Sequence, residues 1–299
     1  MEDKITHTVV VIGAVNMDIC GRPYAAPNMY DSNPGTVTTA PGGVGRNIAH
    51  NLSLLGLNVK FIAAIGNDAY GKSLYDSCLS LGFDMHMCRC MDNFRTSTYM
   101  YITDEEGEMQ LAVCNTDVAD CINPEYLEPL LPEINDADAV VLDGNLSEET
   151  LTWIADKVSV PLYADPVSIT KSERLVPILG KLRAFKPNVI EALRLTGADS
   201  AEDAAKILLE KGIERVFISL GKDGVLAAEK GETMSLPTVA KDIVNTTGAG
   251  DAATAAVIWA DVKGKRLADC AHAAMRASAV VMAYSEAINP ALCEKLISD

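Results

Sequence analysis

The feature that most restricts this chain is the regular exchange of short apolar runs for helix-type segments. Residues Thr8–Ile12, 60–65, Ala139–Asp143, 161–165 and 215–220 are rich in Val, Ile and Leu and are closed by Gly, Asp or Pro, the pattern of strands buried on both faces. Between them, residues 44–55, 70–81, 147–158, 189–195 and 201–211 carry helical periodicity. Ser147 and Ser200 stand where N-caps belong, with Glu149, Glu202 and Asp203 in the first turns. Strand–helix alternation predicts parallel βαβ units. The fold class is therefore α/β: a doubly wound, mainly parallel sheet covered by helices on both faces. At 299 residues the chain reads as one domain, 1–299.

Two stretches break the alternation. Residues 17–40 are rich in Pro and Asn and end in a Thr-Val-Thr-Thr strand, and residues 89–114 carry a hairpin that turns on Asp104-Glu-Glu-Gly107. Together they are expected to form a small β lid over the main sheet. Beyond Asn245 the pattern is helical in two apolar segments, 246–260 and 267–284.

Acidic residues outnumber basic ones 41 to 25, a formal charge of −16. Such a field repels polyanions, so neither a nucleic-acid polymer nor an anionic membrane surface is an expected partner. A single small phosphate ligand is still admissible, because backbone N–H groups and helix ends bind phosphate locally. MEDKITH lacks the layout of a signal peptide, and no apolar run reaches the roughly 18 residues of a membrane span. The eight cysteines form no CxxC pair, and no histidine is spaced to complete a metal site with Cys88 and Cys90. A cytoplasmic protein with reduced thiols is expected, in which the sequons at Asn51, Asn145 and Asn245 carry no glycans.

Three glycine motifs compete for the chemistry. Gly66-Asn-Asp-Ala-Tyr-Gly-Lys72-Ser73 fits the P-loop pattern after a strand, which would make a P-loop NTPase. Yet the Asp68 carboxylate would then sit among the phosphates, whereas as a helix cap it is well placed, with Lys72 in solvent. Gly248-Ala-Gly250-Asp-Ala-Ala253 fits a dinucleotide fingerprint, but no strand follows to complete the βαβ unit. The same residues suit another task. Gly248, Ala249 and Gly250 can offer free N–H groups at a helix N-terminus as an anion hole, and the Asp251 carboxylate beside them can take a proton from a hydroxyl. Taken alone, the pattern equally suits a glycine-rich turn with Asp251 as a cap. The third motif, Pro41-Gly42-Gly43-Val-Gly-Arg-Asn47, precedes an apolar helix. Its glycines allow close approach of backbone to a ligand. Asn47, with Asn16 and Asp18 beyond the first strand, suits a vicinal diol.

Together these motifs resemble the ribokinase-like, or PfkB-type, carbohydrate kinase family over essentially the whole chain. The resemblance rests on residues 13–18, the Gly42-Gly43 segment to Asn47, Asn188-Val-Ile-Glu191, Ser219-Leu-Gly221 with Gly224, and Thr247-Gly-Ala-Gly-Asp251. It implies a kinase using ATP and Mg2+, with Asp251 as base and Gly248, Ala249 and Gly250 as the anion hole. It further implies that Asn16, Asp18, Gly42, Gly43 and Asn47 hold the sugar. Asn188 and Glu191 would lie near phosphate, Glu191 reaching magnesium through water, and Ser219, Gly221 and Gly224 would line the nucleotide loop. Family members usually carry Asp at the position of Asn245 and use it beside a monovalent-cation site, so potassium activation is in question here. Lid-to-lid homodimers are common in the family. The details of Gly13-Ala-Val-Asn-Met-Asp18, Asn33-Pro-Gly35, residues 42–47, residues 104–109, Asp165-Pro-Val-Ser168 and Asn245 resemble the subgroup that phosphorylates pseudouridine. The lid and the loop from Asp165 to Lys171 are expected to read the base, with Lys171 able to steady phosphate. Ribose, adenosine, fructose and 2-keto-3-deoxygluconate are the other acceptors such a family admits. A sugar sensor without catalysis would not require Asp251.

Overall fold

The protein is described by a computed structural model covering residues 7–298. Its strands, in chain order, are β1 (Thr8–Ile12), β2 (Asn16–Pro23), β3 (Gly35–Gly42), β4 (Asn58–Ile62), β5 (Ala64–Gly66), β6 (Arg89–Met91), β7 (Thr98–Thr103), β8 (Met109–Asn115), β9 (Ala139–Asp143), β10 (Leu162–Asp165), β11 (Leu182–Phe185), β12 (Arg215–Ser219), β13 (Val225–Glu229) and β14 (Glu232–Leu236). The main sheet runs β14-β13-β12-β11-β10-β9-β1-β4. From β4 to β12 every neighbour pair is parallel, and β13 and β14 add an antiparallel edge.

Alternating side chains feed two core layers, which is why the central strands read as continuous apolar runs. Val9, Val11, Ala139 and Val141 pack with the Val44–Leu54, Ala249–Val262 and Leu267–Met282 helices. Val10, Ile12, Val140 and Leu142 face the Glu148–Lys157, Val189–Thr196 and Ala201–Glu210 helices. The expected caps form: Ser147 accepts from the Thr150 N–H and Ser200 from the Asp203 N–H, each at 3.1 Å. Strands β2, β6, β11, β13 and β14 carry too little apolar pattern to be read locally. Val225-Leu-Ala-Ala-Glu229, for example, suits a helix as well as a strand.

The interruptions build a second, four-stranded sheet in the order β3-β2-β7-β8. Its boundary differs from expectation, because Arg89–Met91 pairs with Ala64–Gly66 and the sheet's second half starts only at Thr98. Residues 60–65 are likewise two strands. The parallel ladder between β1 and β4 ends at Ile12 and Ile62, where Gly13 donates to the Ile62 carbonyl and turns away. With that partner gone, β5 finds β6.

One buried carboxylate gathers the ends of this sheet. Asp143, at the C-terminal end of β9, accepts the N–H groups of Ala14 and Gly45 on Oδ2 and of Asn145 on Oδ1, all at 2.9 Å. A Cβ at Gly13 would lie 2.6 Å from that Oδ2, so glycine is required there. Asp143→Ala would leave three buried N–H groups without acceptors, at about 1–3 kcal/mol apiece. Thermal unfolding of this variant should show a midpoint lowered by roughly 5 °C or more.

Candidate active site

In open parallel sheets ligands meet the C-terminal strand ends, and the chemically equipped residues collect there. Asn16 and Asp18 follow β1, Asp143 ends β9, Asp165 ends β10, Lys186 and Asn188 follow β11, and Ser219 ends β12. Facing them is the start of the Ala249–Val262 helix. Gly248 caps it in the left-handed region at φ 80°, and a side chain there would collide with the Ala287 carbonyl. The Ala249 N–H donates to the Thr246 carbonyl at 3.3 Å. It is thus already engaged, contrary to the sequence expectation. Gly250 and Asp251 supply the unpaired amides that a helix start leaves.

Asp251 accepts from Asn47 Nδ2 at 2.8 Å. This bond joins two helices whose starts are both glycine-rich. Asn47 is buried, and its Oδ1 has no protein partner, so it remains an acceptor for a ligand hydroxyl. Burial pushes the Asp251 carboxyl up to about 7, reinforced by the Asp165 charge and by Asp143, against the Asn47 hydrogen bond and the Lys186 ammonium. Such a carboxylate is a far better base than a solvated one.

Asp18 accepts from Asn16 Nδ2. Burial raises its carboxyl to about 6, opposed by the Arg46 guanidinium and the Asn16 bond. A side chain at Gly42 would collide with that carboxylate, and one at Gly43, φ 102°, would lie 2.5 Å from the Ala14 carbonyl. The two glycines thus let the Val44–Leu54 helix start against the β1 loop. Asn16, Asp18 and Gly42 thus lie against one another where β2 pairs with β3, and Asn47, on the helix that Gly42 and Gly43 precede, reaches Asp251.

On the opposite side, Asn188 and Glu191 form a capping box: Asn188 Oδ1 accepts the Glu191 N–H at 2.9 Å and Glu191 Oε2 accepts the Asn188 N–H at 2.8 Å. Burial, with Asp165 nearby, raises the Glu191 carboxyl, while the Asn188 N–H and Lys186 oppose the rise. Ser219 lies beside Asn188, its N–H on the Pro187 carbonyl at 3.0 Å. Gly221 faces open space, whereas a side chain at buried Gly224 would strike the Leu236 carbonyl. Gly224 therefore serves the β12–β13 turn.

Asp165 and Lys171 both have protein partners at this end of the sheet. Asp165 is 6% exposed and its oxygens are engaged by Val167, Thr254 and Lys186. Lys171 donates to Asn145 Oδ1. Sequence reasoning missed Lys186, Asn145 and Thr254. Lys186 was the most accessible of these, since it shares with Asn188 the segment just after a strand. The P-loop reading fails on geometry. Asp68 caps the Ala69–Ser80 helix, accepting from Gly71 at 2.9 Å and from Thr96, while Lys72 and Ser73 are exposed.

A family model described as "pfkB family carbohydrate kinase" matches residues 6–293. The chain belongs to the pfkB family of carbohydrate kinases. It is 36% identical to the pseudouridine kinase of Escherichia coli over 291 residues, covering 95% of this chain and 93% of that one. A carbohydrate kinase from Agrobacterium tumefaciens superposes with a TM-score of 0.88 at 27% identity, covering 98% of this chain and 96% of that one. Arabidopsis thaliana ribokinase, solved with ribose and ATP, superposes with a TM-score of 0.85 at 25% identity over 98% of each chain. As a pfkB kinase the protein is a phosphotransferase with a small-molecule acceptor, and no helix among the described residues is long and apolar enough to cross a membrane.

If the base must be ionised, kcat/KM should fall about tenfold per pH unit below the Asp251 value of about 7. The fall should steepen below about 6, where Asp18 also takes a proton. A pH series of initial rates under subsaturating acceptor checks both limbs.

Proposed function

We propose that the protein is an ATP-dependent nucleoside kinase that phosphorylates the 5′-hydroxyl of pseudouridine. The observation that carries the phosphotransfer reading is the Asp251 carboxylate, held by Asn47 at the start of a helix whose Gly250 and Asp251 amides are unpaired. Asn16, Asp18, Asn47 and the Gly42-Gly43 backbone would bind the ribose hydroxyls. The 5′-oxygen would then attack the γ-phosphorus of ATP while Asp251 accepts its proton. The new O–P bond forms as the bond to the ADP oxygen breaks. The anion hole, first assigned to Gly248, Ala249 and Gly250, would rest chiefly on the Gly250 and Asp251 amides. Lys186 lies 3.7 Å from where a Gly250 Cβ would be, which suits it to the charge of the phosphoryl group. Glu191 is a buried carboxylate whose desolvation a hydrated divalent ion would relieve. Mg2+ held there would neutralise phosphate charge. Ser219 and the exposed Gly221 turn would line the nucleotide.

Three further features complete this reading. Asn245 donates from Nδ2 to the Ser285 carbonyl at 2.9 Å and accepts the Thr247 N–H at 2.9 Å. An amide can make both bonds and an ionised aspartate cannot, so the turn before the helix would not need a monovalent cation to hold it. The four-stranded sheet would act as the lid. Its exposed Val37, Met100, Ile102, Leu111 and Val113 suit a homodimer formed lid to lid. The eight cysteines are all free, in keeping with a cytoplasmic enzyme.

Asp251→Asn should lower kcat by several orders of magnitude with ATP affinity nearly intact, whereas Lys72→Ala should change neither. A P-loop enzyme would give the reverse, so steady-state kinetics of the two variants side by side separates the classes.

The pseudouridine assignment is supported by the similarity to the E. coli enzyme and by Asn245. Pseudouridine, joined to ribose through C5, differs from uridine by a second ring N–H, at N1, one ring atom removed from the glycosidic carbon. An acceptor in the lid or in the Asp165–Lys171 loop left unpaired by uridine costs about 1–3 kcal/mol, roughly 5- to 150-fold in selectivity. Initial rates at one subsaturating concentration should rank pseudouridine above uridine, adenosine and ribose, and should persist with choline in place of potassium. A higher rate with ribose or adenosine would keep the kinase and discard the pseudouridine assignment.

A further inference from the structure

We propose that Asp165 is a positioning residue for the phosphotransfer centre, tying the catalytic helix and Lys186 together from beneath instead of binding the acceptor. This rests on the reading of Asp251 as the base. Asp165 ends β10 and is almost wholly buried. Its Oδ1 accepts the Val167 N–H at 2.9 Å. Its Oδ2 accepts the Thr254 hydroxyl at 2.7 Å and lies 3.6 Å from Lys186 Nζ. A carboxylate only 6% exposed and engaged from three directions has little left to offer a substrate.

Each of those partners leads to the reacting centre. Thr254 is one helical turn beyond Gly250 and Asp251, and its Oγ1 also lies 3.1 Å from the Gly250 carbonyl. The Asp165–Thr254 bond therefore fixes the rotation and height of the first turn of the helix. Lys186 is itself buried and has Asp165 as its ion-pair partner, so the same carboxylate holds the ammonium beside Gly250. The loop is built to present Asp165 this way. Val167 is a β-branched residue at φ 66°, and the Ser168 N–H closes a tight turn on the Pro166 carbonyl at 2.7 Å. Such a turn is strained for valine, and it aims the Val167 N–H back onto Oδ1.

The placement also has an electrostatic consequence. The groups facing Asp251 are Asn47 from the Val44–Leu54 helix, Asp143 from β9, Asp165 from β10 and Lys186 beyond β11. Glu191 feels the same Asp165–Lys186 pair. Asp165 and Asp143 keep the Asp251 proton on to higher pH, and Lys186 opposes them. Removing the Asp165 charge subtracts a like charge and frees Lys186, and both changes favour ionised Asp251.

The test is Asp165→Asn, which keeps an acceptor for Val167 but loses the charge, assayed with ATP, Mg2+ and the acceptor that the wild-type enzyme turns over. The acid limb of kcat/KM should move to lower pH by about one unit. Above that limb kcat should fall between about 10- and 100-fold, with the acceptor KM changed less than about threefold. A raised KM with an unmoved acid limb would make Asp165 a substrate ligand after all, and an unchanged profile would remove it from the centre altogether. Thr254→Val leaves the carboxylate in place. It should lower kcat about tenfold without moving the limb, and Thr254→Ser should restore it; wild-type kcat in Thr254→Val overturns the tie to the helix. Asp251→Asn run alongside separates the two levels. Activity in that variant sinks the base assignment itself, whereas its inactivity with an unaltered Asp165→Asn profile sinks only this proposal.

Discussion

Asp143 is the interaction on which the rest of the site depends. A carboxylate at the end of a central parallel strand is taken out of water, and it is tolerable there because backbone amides from three segments replace its hydration. Two of those segments, the turn after β1 and the start of the Val44–Leu54 helix, lie far apart in the chain. They carry Asn16 and Asp18 on one side and Asn47 on the other. The latch sets where Asn47 stands, Asn47 sets where the Asp251 carboxylate points, and the latch works only because Gly13 and Gly45 have no side chains to keep the carboxylate away.

The second layer is a balance of charge. Asp18, Asp143, Asp165, Glu191 and Asp251 crowd one end of the sheet, and burial pushes the carboxyls of Asp18, Asp143, Glu191 and Asp251 upward. Arg46 stands behind Asp18, Lys171 opposite Asp143, and Lys186 between Asp165 and the helix start. Unpaired helix amides add positive potential without a titratable proton. At this end of the sheet the acidic excess of a chain of net charge −16 is thus partly offset by buried Arg46 and Lys186, by half-buried Lys171 and by the helix amides.

Much of this was legible in residue order. The α-helices of eight residues or more were placed within a few residues of their bounds because apolar periodicity and N-caps act over a single turn, the four-residue ones being too short to show a period. Thr8–Ile12 and Ala139–Asp143 were read without error. The glycine clusters announced close backbone approach, and Gly42, Gly43 and Gly248 do make it. Strand β11, with four residues, and the Ala-rich β13 had no local signature. The segment Arg89–Met91 was misplaced because its partner, Ala64–Gly66, is chosen by where the β1–β4 ladder ends.

The sequence by itself determined the α/β architecture, the family, and the side chains that could do the chemistry, since periodicity, caps and glycine spacing are properties of neighbours along the chain. The tertiary structure alone decided which of those side chains are free to act. Asp165 carries the right group yet is engaged by Thr254, Val167 and Lys186, and Lys171 gives one of its donors to Asn145. The Ala249 amide is spent on Thr246. Lys186, inconspicuous in the sequence, arrives beside Gly250. A hydrogen-bonding group is available only if nothing nearer claims it, and for a buried group the nearest claimant comes from a distant strand or helix.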